Sequence, residues 1–205
     1  MKKFIGLFII VSFILYSGII YSYEMCIPKI EVSISQQIEK YSVSIISSEI
    51  GIGTCSGTII KENEYTTHVL TAKHCINVSN EMSVENNKVL YILTSVDDDL
   101  ALLIVDGLIP NKTSAKIATK DIELGDYVYH IGYPKWKKYF ASGKYLRYNS
   151  DWRFLGFKSI GGCSGGGIFN RQAELVGVLW GGFNNQPIAI MESLNDINKF
   201  LEPLL

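Results

Sequence analysis

An excess of charge of either sign is missing from this 205-residue sequence: 19 lysines and arginines stand against 20 aspartates and glutamates. Without a basic excess there is no electrostatic footprint for nucleic acid, and no nucleic-acid partner is expected. Heptads, internal repeats and low-complexity tracts are missing too, so the chain is read as an ordinary globular protein. Histidine is limited to His68, His74 and His130, and cysteine to Cys26, Cys55, Cys75 and Cys163. These do not form the paired short spacings of a zinc site, so neither a metal nor a cofactor is expected. Two further absences concern order along the chain. No aspartate occurs before Asp97, and no histidine after His130.

What is present is a hydroxyl in a glycine-rich setting, Ser164 in Gly161-Gly162-Cys163-Ser164-Gly165-Gly166-Gly167. Glycine permits conformations that a side chain would forbid, so that successive N–H groups can point at one spot beside the hydroxyl. By itself the run is equally a tight turn holding an incidental serine. The order of the other residues breaks the tie. A serine nucleophile needs a base to take its proton and a carboxylate to hold that base in the right tautomer. All three histidines precede Ser164, which excludes an order with histidine last. No aspartate precedes His74, which excludes an order with aspartate first for that base. His, then Asp, then Ser remains. It is met by His74 in Val69-Leu70-Thr71-Ala72-Lys73-His74-Cys75 and by Asp99 in Asp97-Asp98-Asp99-Leu100-Ala101-Leu102-Leu103.

Val-Leu-Thr-Ala-x-His-Cys, Asp-Leu-Ala-Leu-Leu and Gly-x-Ser-Gly-Gly, in that order, resemble the chymotrypsin/trypsin-fold serine peptidases. Cys55-Ser56-Gly57-Thr58-Ile59-Ile60 is similar to the strand before that family's catalytic histidine. Gly125 to Val128 and Ile131 to Pro134 resemble the opening of the second barrel in bacterial glutamyl-endopeptidase-like and heat-shock-type members. Val178-Leu179-Trp180-Gly181 looks like the substrate-pairing strand.

The resemblance implies that His74 is the base, that Asp99 orients it, and that the N–H groups of Gly162 and Ser164 form the oxyanion hole. It implies no such role for Asp97 and Asp98, which are expected to face solvent, or for His68 and His130, read as structural or surface histidines. Lys158 and Ser159 are expected to line the primary specificity pocket. Trp180 would pack beneath the cleft, with the backbone of Gly181 free to pair with an extended peptide. A lysine at the pocket base would favour an acidic side chain by charge pairing. An outward-pointing Lys158, or a pocket narrowed by Ile188, stays open.

Short apolar runs at Ser42 to Ile46, Tyr65 to Thr71, Lys88 to Thr94 and Leu100 to Val105, separated by Gly, Asn and Asp, predict an all-β chain. With 47% hydrophobic residues, it can fill one globular domain or two small barrels sharing a cleft; strands at this spacing suit a pair of six-stranded barrels, and the resemblance implies that they are antiparallel with the active site between them. Barrel one is expected over about 32–112, barrel two over about 113–192, and one helix at 193–202 capped by Ser193 or Asn195. Lys2-Lys3 followed by apolar residues to Ile20 predicts an export signal over 1–22, or alternatively an anchor, and hence a secreted or periplasmic location.

Four cysteines behind such a signal allow two bridges in three pairings. The resemblance implies Cys55–Cys75. Cys163 occupies the place of an aspartate that pairs with a freed N-terminus in zymogen-activated relatives, and a Cys26–Cys163 bridge is expected to replace that pairing. The expected function is that of a secreted serine endopeptidase, acting on a protein or peptide substrate as a monomer. Two readings remain beside it: a non-catalytic binding module on the same barrels, and an esterase or acyltransferase.

Overall fold

Leu100-Ala101-Leu102-Leu103-Ile104-Val105 is apolar without alternation, as suits a strand covered on both sides. In the computed structural model, which describes residues 31–47, 53–76, 81–148, 152–183 and 186–204, it forms the almost wholly buried strand β6 (Leu100–Asp106). β6 lies between β3 (Thr66–Ala72) and β5 (Asn87–Thr94). With β1 (Ser42–Ser47), β2 (Gly53–Glu62) and β4 (Met82–Val84) they close a barrel in the order β1-β2-β3-β6-β5-β4. Val43, Ile45, Ile59, Val69, Leu103 and Val105 fill its interior. Closure leaves no strand edge unpaired, which explains how strands this short persist.

The second barrel is built from β7 (Tyr127–Gly132), β8 (Tyr139–Tyr148), β9 (Arg153–Leu155), β10 (Gly167–Phe169), β11 (Leu175–Gly182) and β12 (Ala189–Ser193). It closes as β10-β11-β12-β9-β8-β7, around Val128, Leu155, Ile168, Val176, Leu179 and Cys163. Every strand pair in both barrels is antiparallel. The crossing segment after β6 is tied to both sides. Ala115 N–H donates to Ile59 O at 2.8 Å, and Ala118 N–H to Leu175 O at 2.9 Å.

The all-β expectation holds, as does the C-terminal helix, α2 (Leu194–Leu201). One expectation is overturned. The sequence predicts barrel one from about residue 32 and a single helix at the tail, yet residues 31–39 are helical (α1) and the first strand starts at Ser42. Ile34 and Ile38 are four apart, a helical spacing that a strand reading overlooks. Ile38 is fully buried. The chain divides into a unit of residues 1–34, of which 31–34 are described and helical, and a unit of residues 35–205 that holds both barrels. Residues 1–22, the expected signal, lie outside the described residues. Among the described residues no helix is long and apolar enough to cross a membrane.

Candidate active site

The pairing of β3 with β6 sets Ala72 opposite Leu100. Continuing that antiparallel register by one step brings Lys73 to Asp99, and Lys73 N–H indeed donates to Asp99 O at 3.1 Å. A 3-10 turn over Lys73–Cys75 then swings His74 over the Asp99 side chain. One carboxylate oxygen accepts the His74 backbone N–H at 2.8 Å, and the other meets His74 Nδ1 at 2.5 Å. Both histidine groups thus face a single carboxylate, which fixes ring position and tautomer together. Asp97 is instead ion-paired with Lys199 at 2.8 Å, and Asp98 accepts from Ser95 Oγ at 3.2 Å.

Cys55 of β2 and Cys75 of the turn form the expected disulfide, with their Cα atoms 6.0 Å apart. The bridge pins the segment carrying His74 to its neighbouring strand.

Ser164 follows a turn closed by Cys163 N–H to Ile160 O at 2.9 Å, in which Gly162 has φ +99°. Such an angle at the third residue of a turn favours glycine. A side chain there would also strike barrel one, since a Cβ would lie 2.7 Å from Thr54 Oγ1. Gly165, at φ +82°, is equally confined, and its Cβ would fall 2.1 Å from Thr71 Oγ1. The glycines around Ser164 therefore let the loop backbone press directly onto β2 and β3. Among the described residues the amides of Gly162 and Ser164 donate no hydrogen bond. The Ser164 hydroxyl donates to Trp180 O at 3.2 Å. Trp180 can accept there because the β11–β12 register shifts between Leu179 and Gly181, leaving Trp180 out of the ladder. The indole meets the His74 ring edge-on at 6.3 Å between centroids, and Trp152 at 4.8 Å.

Beside Ser164 opens a cleft of about 430 Å³ lined by Lys158, Ser159, Ile160, Gly161, Ser164, Gly181, Gly182 and Phe183. Lys158, Ser159 and Gly181 are among its lining, while Trp180, expected beneath the cleft, meets the His74 ring edge-on. Lys158 is exposed rather than sunk at the cleft's base, and Tyr139 Oη donates to its carbonyl at 3.0 Å.

Cys163 is a free thiol with no exposed surface, so this structure does not contain the expected Cys26–Cys163 bridge. Its side chain packs inward among the apolar residues of barrel two; Cys26 lies outside the described residues. Burial pushes the Cys163 thiol up to about 11, so it is neutral at physiological pH. His130 is also fully buried, with Nδ1 3.0 Å from Gly167 O. His68 is half-buried on β3, opposite Lys61 and Ile104 and away from the site. Sequence reasoning missed Trp152, which packs on Trp180 from the residue before β9, and Phe183, which lines the cleft just after β11. It also missed Glu192, a carboxyl that burial, and then Asp196, Asp99 and Asp98, push up to about 7.

A family model described as the trypsin-like peptidase domain matches residues 55–178. The chain belongs to the trypsin-like peptidase family. It is accordingly a serine endopeptidase, a hydrolase of peptide bonds. Among solved structures, an inactive form of the Rv3671c protease of M. tuberculosis superposes with a TM-score of 0.70 at 17% identity, covering 84% of this chain and 92% of that one. The active form of the same protease gives 0.69 at 17% identity, covering 82% of each. A serine endoprotease from Yersinia pestis gives 0.69 at 24% identity, covering 83% of this chain and 66% of that one. These likenesses establish the shared fold. No curated protein matches the chain in sequence.

Proposed function

We propose that this trypsin-like peptidase is exported and cleaves proteins through an acyl-enzyme formed on Ser164, with His74 as base and Asp99 as its orienting carboxylate. The observation that carries this reading is the double contact of Asp99 with the backbone and ring of His74. With Nδ1 engaged by Asp99, Nε2 is the nitrogen left to serve the serine. Rotation of the Ser164 side chain exchanges its bond to Trp180 O for one to His74. As the hydroxyl attacks a peptide carbonyl, His74 takes its proton and later delivers it to the leaving amine. The amides of Gly162 and Ser164 receive the developing oxyanion, where a single donor contributes on the order of 10²–10³ in rate. Water then attacks the acyl-enzyme by the same proton route in reverse. The backbone at Gly181 offers an extended peptide a strand to pair with. The charged start of the apolar N-terminus and the Cys55–Cys75 disulfide support export to an oxidising compartment.

The test is reaction of the purified oxidised chain with a fluorophosphonate probe, followed by casein digestion, beside Ser164→Ala. Stoichiometric labelling and casein cleavage by the wild type, both lost in the variant, are expected. A folded wild type that takes no label would point to the non-catalytic reading, and labelling without casein cleavage to an esterase or acyltransferase.

A further inference from the structure

The turn before Ser164 has to hold two amides toward the cleft, and its own side chains offer little to hold it with. Gly161 and Gly162 have none, and that of Cys163 is an uncharged thiol facing the core. The anchor comes from the other barrel. Ser56 of β2 is fully buried, and its hydroxyl donates to Gly162 O at 2.8 Å while accepting the Tyr133 N–H at 2.9 Å. The backbone of the same residue is also committed, with Ser56 N–H donating to Ser164 O at 2.8 Å. One residue of barrel one therefore grips the carbonyls on both sides of Cys163.

The carbonyl between them, Cys163 O, accepts from Gly166 N–H at 3.1 Å. In a trans peptide the C=O and N–H point in opposite directions. Fixing Cys163 O on Gly166 therefore turns the Ser164 amide the other way, and fixing Gly162 O on Ser56 limits rotation of the turn that carries the Gly162 amide. Tyr133, which supplies the hydrogen bond into the Ser56 hydroxyl, is itself held. Its Oη donates to Ser42 O at 3.2 Å, and Lys112 Nζ donates to Tyr133 Oη at 3.3 Å and to Ser42 O at 2.7 Å. The chain of contacts thus runs from the crossing segment between the barrels to the turn.

We propose that Ser56 is a positioning residue, whose hydroxyl holds the turn at Gly162 in the conformation that receives the oxyanion. This role rests on the reading of Ser164 as nucleophile. Ser56 touches no substrate and acts only through the Gly162 carbonyl. Its removal should therefore weaken binding of the transition state while leaving binding of the ground state nearly unchanged.

The experiment compares full-length wild type with Ser56→Ala, both titrated with the fluorophosphonate probe so that rates refer to active molecules. Measured quantities are kcat and KM on a peptide amide, and inhibition by the matching peptide aldehyde, whose hemiacetal oxygen sits where the oxyanion forms. The expected result is kcat lowered roughly 10-fold or more, the aldehyde weakened in parallel, and KM within about 2-fold of wild type. If the alanine variant does not fold, Ser56→Gly removes the hydroxyl without setting a methyl group against the two freed backbone groups, and the same split is expected. A folded variant whose kcat and aldehyde affinity stay within about 2-fold of wild type overturns the proposal, as does a loss confined to KM or thermal stability. Failure of the wild type itself to take the probe overturns the assignment of Ser164, and the role of Ser56 with it.

Discussion

His130 shows what the packing behind the Ser164 loop demands of one side chain. It stacks on Phe157 at 5.9 Å and 10° between ring planes, and a Cβ on Gly166 would lie 2.6 Å from its Cε1. Its Nδ1 meets Gly167 O, while its Nε2 is buried without a hydrogen-bond partner. Loss of solvation pushes its pKa down to about 4, with the Gly167 carbonyl opposing the shift. In the unfolded chain the same imidazole takes a proton near pH 6.5. Below that value the unfolded state binds more protons than the folded one, so stability is lost as pH falls from about 6.5 to about 4. The loss expected from this residue over that window is on the order of 3 kcal/mol. Urea unfolding of wild type and His130→Leu at pH 7, 5.5 and 4 checks it through the slope. The variant should lose less stability on acidification, whatever its absolute value at pH 7.

At the scale of the element, α2 carries its own start signal. Ser193 Oγ accepts the Asp196 N–H at 3.3 Å, and the Asp196 carboxylate returns to Ser193 N–H at 2.8 Å, a reciprocal capping box. Leu194, Ile197, Phe200 and Leu201 form the buried face. Of the two caps the sequence offered, the structure uses Ser193, and Asn195 is exposed within the first turn. Ser193→Ala should lower stability by about 1 kcal/mol, read by chemical denaturation. Fluorophosphonate labelling at saturating probe should not change, because α2 contributes no residue to the cleft. The Lys199–Asp97 pair that links the helix to the loop before Asp99 is exposed on both sides, and pairs of that kind contribute little.

For the whole molecule, the Cys55–Cys75 bridge acts on both the folded and unfolded states. It closes a loop with a sequence separation of 20, and the chain-entropy model assigns such a loop roughly 3 kcal/mol. The paired change Cys55→Ser with Cys75→Ser should lower Tm by roughly 6–12 °C, measured by scanning calorimetry. Both barrels meet the loop that carries Ser164, through Ser56 and Thr71 on one side and Leu179 and Trp180 on the other. The site is therefore a product of their packing.

The sequence by itself determined the parts that depend on local pattern or on order along the chain. Alternation and apolar runs marked β1, β3, β5 and β6 to within a residue or so, because a strand's side-chain period is written locally. The proposed roles of His74, Asp99 and Ser164 rest on the motifs around them and the family these resemble, with which the order of a chain lacking an early aspartate and a late histidine agrees. The C-terminal helix was legible from its cap and buried face. Tertiary structure alone decided the rest. It turned Cys163 into a core side chain, because a small thiol is stabilised more by burial than by exposure. It placed Lys158 at the exposed margin of the cleft, set Trp152 against Trp180, and brought Ser56 to the carbonyl of Gly162, 106 residues away. Such contacts join residues with no shared period and no fixed spacing, and they exist only once two closed barrels have packed together.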